Sequence, residues 1–218
     1  KYMKKFDWYM VIHNLDTYAY INNYVLILAN VVVFLLCLSL IGISLHVIAK
    51  RDKGLFNSAY KDELTGLYNR RAYEESLDRI RKEVPGEKMM VVVIFDVNGL
   101  KEVNDKLGHA AGDELLRGAA STIRSVYGNY GKCYRTGGDE FVVILEEPVE
   151  ELSVLNENFE QAIEKWHGKQ VAELNISYGA ALSEEVCSID EQIILADQRM
   201  YFAKKAYYQR IGKDRRSY

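Results

Sequence analysis

Two adjacent carboxylates, Asp139 and Glu140, follow a glycine pair, Gly137-Gly138, and precede an apolar run, Phe141-Val142-Val143-Ile144-Leu145. The pattern predicts a tight turn between two strands, with Gly137 and Gly138 supplying positive φ angles. Two acids side by side on the rim of so apolar a strand repel each other unless a cation or a basic partner lies nearby. An ordinary acidic hairpin is the plain alternative. A second stretch points to chemistry. Residues 89–95 form a continuous Val-rich apolar run, as in a strand buried on both faces. The run ends in Asp96, followed by Val97-Asn98-Gly99-Leu100-Lys101. If the two strands pair, Asp96 and Asp139 converge on one oxygen-rich site. Two carboxylates and a backbone carbonyl are hard ligands suited to Mg²⁺ or Mn²⁺, with substrate phosphates completing the shell.

The elements that must position these residues follow from periodicity. In residues 62–70, Thr65-Gly66 suits a turn and Asn69 suits the cap of a following helix. That helix shows Tyr73, Leu77, Ile80 and Val84 on one apolar face, and the segment reads as structural, fixing how a linker enters the domain. Beyond the first strand come a short helix near residues 100–106 and a longer one near 110–127. Leu115, Leu116, Ala119, Ile123 and Val126 stripe the longer helix. Strands are expected at 132–135 and 140–145, then a helix carrying Leu152, Leu155, Phe159, Ile163 and Trp166. Residues 172–182 alternate as a strand does, and a last helix spans about 190–208. This order predicts an α+β domain with a mixed, largely antiparallel sheet.

Upstream, residues 25–49 carry no formal charge and are apolar on every side. As a helix the stretch is about 37 Å long, enough to cross a hydrocarbon core of about 30 Å with some tilt. Lys50, Arg51 and Lys53 follow at once, which places the C-terminal part on the cytoplasmic side of a cell membrane. The expected organisation is therefore an extracytoplasmic tail of a sensor domain at 1–23, with a strand at Trp8-Tyr9-Met10-Val11-Ile12. A transmembrane helix follows at 24–49, then a linker or signalling helix at 50–61 and a domain at 62–218. Ile41, Leu45, Ile48, Leu55 and Ala59 keep a three-four spacing that would continue the span as a paired seam. The first residue is Lys, and a longer protein is expected. Net charge is −3, which gives no nucleic-acid surface. Cys37, Cys133 and Cys187 are odd in number and far apart, matching neither a disulfide framework nor a zinc pattern.

Four collinear stretches resemble the GGDEF family of diguanylate cyclases: residues 62–70, Phe95-Asp96 through Asn104-Asp105, Leu107-Gly108-His109 with Gly112-Asp113, and Gly137 to Phe141. The resemblance runs from Lys61 onward and implies a palm-like sheet related to nucleotidyl cyclases and polymerases. It implies GTP as substrate, cyclic di-GMP and two pyrophosphates as products, Mg²⁺ or Mn²⁺ as cofactor, and a homodimer, since each chain offers one nucleotide site. By motif matching, Asp96 and Asp139 would bind the metal through side chains and Val97 through its carbonyl. Asp139 or Glu140 would help deprotonate the attacking hydroxyl. Gly99 and Leu100 would offer backbone N–H groups to phosphates, and Lys101 would stabilise the transition state. Asn104 and Asp113 match the guanine readers, His109 lines the base pocket or packs beneath it, and Lys204 meets the triphosphate.

Three departures stand out. Tyr208 occupies the place of a usual arginine, with Arg210 or Lys205 as candidate substitutes. Gly128 and Gly131 fall where many relatives carry an Arg-x-x-Asp product-inhibition pair. Asn98-Gly99 replaces a more usual acidic and aromatic pair. The leading expectation is a membrane-anchored diguanylate cyclase. The alternative is a weak or inactive GTP-binding module that regulates a partner. A cyclase making a different dinucleotide is a third reading, against which Asp113 argues.

Overall fold

The computed structural model describes residues 2–82, 89–146 and 152–212. The chain divides into two units, one ending at Leu55 and one beginning at Phe56. The first consists of the body of helix α1 (Tyr2–Tyr60). Its segment Tyr20–Val47 is 28 residues long with a mean hydropathy of 2.8, long and apolar enough to cross a membrane. Leu26, Ile27, Leu28, Phe34, Leu35 and Leu36 point all round the helix and are 57–68 % exposed. An apolar surface on every side is what a lipid-facing helix presents. The expected strand at Trp8–Ile12 is instead helical. No proline or glycine precedes Gly42 to stop the helix, and a lone strand there would leave its backbone groups unpaired.

The second unit is built on a four-stranded sheet of order β2-β3-β1-β4. The strands are β1 (Val91–Val97), β2 (Gly131–Arg135), β3 (Glu140–Leu145) and β4 (Ile176–Leu182). Every ladder between these strands is antiparallel, as largely expected, and a parallel pairing is described only at the isolated bridge of Tyr68 to Tyr134 on β2. Helices cover both faces: α2 (Arg70–Ile80), α3 (Leu100–Leu107), α4 (His109–Tyr127), α5 (Leu152–Glu164) and α6 (Ile189–Arg210). Val93, Phe95, Phe141 and Val143 meet Ile123, Tyr127 and Phe159 from α4 and α5 on one face. Val92, Ile94, Val142 and Ile144 meet Leu77, Ala196 and Met200 from α2 and α6 on the other. With both faces covered, all seven β1 residues are buried, hence the continuous apolar run in an antiparallel strand.

Asn69 caps α2 as expected, its side chain accepting the Ala72 N–H at 3.0 Å. Val84, Pro85 and Pro148 lie outside the described residues. Residues 172–175 do not join β4. Instead the Asn175 carbonyl accepts the Asn98 N–H at 2.8 Å, and the Ala172 carbonyl lies 3.1 Å from His167 Nδ1. Gly179 matters for docking. A Cβ there would strike the Met200 nitrogen and the Ala196 carbonyl oxygen. Only glycine lets α6 lie this close to β4, and that approach carries Lys204, one turn beyond Met200, over the end of β1.

Candidate active site

Alternation along the strands sets the site. Asp96 lies opposite Glu140 on β3 and Ser177 on β4, so the three side chains form a row across one end of the α6 face. Asp96 therefore belongs to β1 itself, one residue before its end, and not to the loop after it. It is 5 % exposed. Above it the Lys204 ammonium donates to Asp96 Oδ1 at 2.5 Å, the two side chains being 13 % and 7 % exposed. Burial pushes the Asp96 carboxyl above its ordinary value; Lys204 opposes this, while Asp139 and Glu140 add to it. The site thus gathers more negative charge than one ammonium neutralises.

The loop between β2 and β3 brings Asp139 alongside. The Val97 N–H donates to the Asp139 carbonyl at 3.0 Å, so the loop is stitched to the end of β1. Gly137 and Gly138 do not take positive φ, against expectation; in the described backbone that conformation falls to Gly66, Gly99, Gly108 and Gly212. The connection holds four residues, 136–139, and loops of that length close without the mirror-image turns that two-residue hairpins need. Arg135 braces it instead. Its guanidinium donates to Gly138 O at 2.8 Å and to Asp62 Oδ1 at 3.1 Å. Burial raises the Asp62 carboxyl, but hydrogen bonds from Thr65 and Arg135 outweigh it and hold the group below its ordinary value. Asp62 thus acts as a structural residue, tying the entry segment to the glycine loop.

Past β1 the chain turns at Asn98 and Gly99. Asn98 is buried, its amide donating to Ser177 Oγ at 2.9 Å and its N–H to Asn175 O at 2.8 Å. Gly99, at φ 75° and ψ 12°, is the left-handed residue that reverses the chain into α3. The first N–H groups of α3, from Leu100 onward, have no partner within the helix. They open on a cavity of about 180 Å³ lined by Val97, Gly99, Leu100, Lys101, Asp139, Lys204 and Tyr208. One cavity wall therefore combines a helix start, two lysines and an aspartate.

The other expected residues lie apart from that cavity. Glu140 is exposed and lines a cleft of about 260 Å³ with Arg70, Thr136 and Asp197. Asn104 packs on α4 against Gly112, where a Cβ would collide with its Oδ1. Asp113 is half-buried and paired to Arg117 at 3.4 Å. His109 opens α4 as an exposed residue. Arg210 does not reach Lys204's cavity: its guanidinium lies 5.9 Å from the Tyr207 ring and lines a cleft with Glu160 and Glu164. Lys205 is exposed. The partnership of Asn98 with Ser177 and the bracing role of Arg135 escaped sequence reasoning; Arg135 at least adjoined the glycine motif.

Among the described residues no group of three or more His, Cys, Asp or Glu forms a metal cluster. Asp96 and Asp139 are two hard oxygen donors at one strand end, and Asp96 already holds a cation, the Lys204 ammonium. That donor set fits a divalent ion whose remaining ligands are phosphate and water.

The domain is thus an antiparallel sheet with helices on both faces and acids at the joined ends of its two central strands. The family described as "Diguanylate cyclase, GGDEF domain" matches residues 59–210. The chain belongs to the GGDEF family. It is 37 % identical over 164 residues to the probable diguanylate cyclase DgcI of Escherichia coli, covering 72 % of this chain and 34 % of that protein. It is 30 % identical over 151 residues to the uncharacterized membrane protein SERP0413 of Staphylococcus epidermidis, covering 66 % of this chain and 42 % of that one. The coiled coil and GGDEF domain of DgcB from Caulobacter crescentus, solved in complex with c-di-GMP, superposes with a TM-score of 0.63. Identity there is 25 %, over 75 % of this chain and 90 % of that one. The chain spans only about a third to a half of the curated relatives' length.

Proposed function

We propose that the chain is a membrane-anchored diguanylate cyclase acting as a homodimer, anchored through Tyr20–Val47 with its GGDEF domain in the cytoplasm. The observation that carries this reading is the buried Asp96 paired to Lys204, which lines one cavity together with Asp139. In the reaction the 3′-oxygen of each GTP attacks the α-phosphorus of the other. Two P–O bonds form, two pyrophosphates leave, and two hydroxyl protons are lost. A bound Mg²⁺ or Mn²⁺ supplies Lewis-acid neutralisation of the phosphate oxygens. Asp96, Asp139 and the Val97 carbonyl would hold that ion. The N–H groups of Gly99 and Leu100 would donate to the phosphates at a helix start, while Lys101 and Lys204 offset the charge of the triphosphate. Asp139 or Glu140 takes up a hydroxyl proton. The product is two-fold symmetric and each chain carries one site, so a C₂ pair is the simplest working unit.

Asn104 and Asp113 would read guanine, whose N1–H and amino group both donate to a carboxylate. Gly112→Ala pushes a methyl group into Asn104 and is expected to raise the KM for GTP by about tenfold with little change in kcat; an unchanged KM would remove Asn104 from the base site. Gly128 and Gly131 leave no room for the charged pair that many relatives use for product inhibition. A Cβ on Gly128 would lie 2.5 Å from the Arg124 carbonyl oxygen, and one on Gly131 would strike the Ile144 carbonyl oxygen. Initial rates are expected to be insensitive to added cyclic di-GMP; non-competitive inhibition that vanishes on altering residues 128–131 would contradict this.

The second reading, a GTP-binding module with weak turnover, is favoured by Tyr208, which lines the cavity where an arginine is usual. Incubating the full chain in detergent with GTP or ATP and Mg²⁺, then identifying products by mass, separates the two. Cyclic di-GMP from GTP alone supports the cyclase; bound but unconverted GTP supports the module.

A further inference from the structure

We propose that Lys204 is a place-holding cation, which keeps Asp96 occupied until a triphosphate draws the ammonium away, so that the divalent ion enters with the nucleotide and not ahead of it. The inference rests on the reading of Asp96 as a metal ligand. Lys204 is well placed for two partners. Its ammonium is on Asp96 Oδ1 at 2.5 Å, in a pair almost shut off from water. The same side chain lines the cavity that holds Lys101 and the start of α3. Helix α6 is fixed by its close approach at Gly179, so the transfer from carboxylate to phosphate must be made by the side chain. A lysine suits this. Its flexible stem and rotating donors let it change acceptors with no bidentate geometry to rebuild.

Charge balance decides the order of events. Asp96, Asp139 and Glu140 act on one another at this end of the sheet, and the ammonium offsets part of that repulsion. A divalent ion arriving alone must expel the ammonium into a cavity already lined by Lys101 and helix N–H groups. Of the two carboxylates that also line it, Asp139 would be claimed by the ion itself and Glu102 lies 3.9 Å from the Lys106 ammonium, so the expelled ammonium gains little there. When a triphosphate occupies the cavity, the expelled ammonium finds an anion, and the penalty on metal entry disappears. Metal and nucleotide affinities are then coupled, and by linkage the coupling is reciprocal. The same pairing offsets the burial of the Asp96 carboxylate before either ligand arrives.

The test measures binding of Mn²⁺ to the full chain in detergent, following free Mn²⁺ by electron paramagnetic resonance, with and without an α,β-methylene analogue of GTP. Lys204→Met is expected to bind Mn²⁺ alone about tenfold or more tightly than wild type. Adding the analogue should raise Mn²⁺ affinity in both, because phosphate oxygens ligate the ion, but by about tenfold more in wild type than in Lys204→Met. Equal binding of Mn²⁺ alone by the two proteins overturns the proposal and leaves the cyclase reading intact. Failure to hold Mn²⁺ even with the analogue overturns both. Should Lys204→Met not fold, wild type alone decides: Mn²⁺ binding without nucleotide as tight as with it overturns the proposal, whereas a melting temperature raised only when both are present supports it.

Discussion

Asp139→Ala is expected to lower cyclic di-GMP formation by about a thousandfold or more while leaving thermal stability nearly unchanged. The two effects separate because the fold uses Asp139 through its main chain. Its carbonyl accepts the Val97 N–H at 3.0 Å, and alanine retains that bond. Its carboxylate is half-buried, lines the cavity, and makes no hydrogen bond or ion pair among the described residues. Removing it even relieves repulsion on Asp96. Asp96→Asn is a less clean probe, since it strips the Lys204 ammonium of the carboxylate it pairs with and mixes folding with function. Product formation by chromatography, read beside a thermal melt, checks the prediction. Wild-type rates in a well-folded Asp139→Ala protein would remove the proposed metal role.

The second large effect is expected for Arg135→Met. Arg135 ties Asp62 to Gly138 O, and the two charged side chains are only 14 % and 23 % exposed. Breaking one side of such a pair strands a partly buried carboxylate. Discounting for residual solvent, the loss is about 2 kcal/mol, or roughly 6 °C in Tm for a chain of this size. Turnover should fall as well, because the loop carrying Asp139 loses its brace. The pH dependence has a defined sign. Asp62's carboxyl stands below its ordinary value in the folded chain. Its contribution is present in full above the ordinary carboxylate range and is lost as pH falls through and below that range. Wild type should therefore lose its stability advantage over Arg135→Met in acid. Melting curves at neutral and acidic pH test this; a gap that persists unchanged in acid would contradict it.

Much of the second unit could be read from the sequence because its signals are local. The Val-rich run before Asp96, the stripe of Leu115, Ala119 and Ile123, and the cap at Asn69 each depend on neighbours within a turn or a strand. What escaped depends on distant partners. Nothing near Ser177 announces that it meets Asn98 across 79 positions. The glycines of the acidic loop predict a tight turn with positive φ, whereas Arg135 braces a four-residue connection from outside, with Asp62 as its anchor. The left-handed glycine that turns the chain into α3 is Gly99, in one of the stretches that depart from the family pattern. Residues 172–175 alternate like a strand, but Asn175 meets the distant Asn98 just past the end of β1 and not a strand of the ladder. For Tyr208 the family pattern marked a substitution. Only the structure shows that the tyrosine stays in the cavity wall while Arg210 turns toward Tyr207 and two glutamates.

The account centres on a divalent ion gripped at the joined ends of β1 and β3, carrying the phosphates of GTP. Crystals of the chain grown with Mn²⁺ and a non-hydrolysable GTP analogue, measured at the manganese absorption edge, test it most directly. The predicted result is an anomalous peak about 2.1 Å from carboxylate oxygens of both Asp96 and Asp139, with Lys204 moved onto the phosphates. An ordered nucleotide with no peak between those two carboxylates would contradict it.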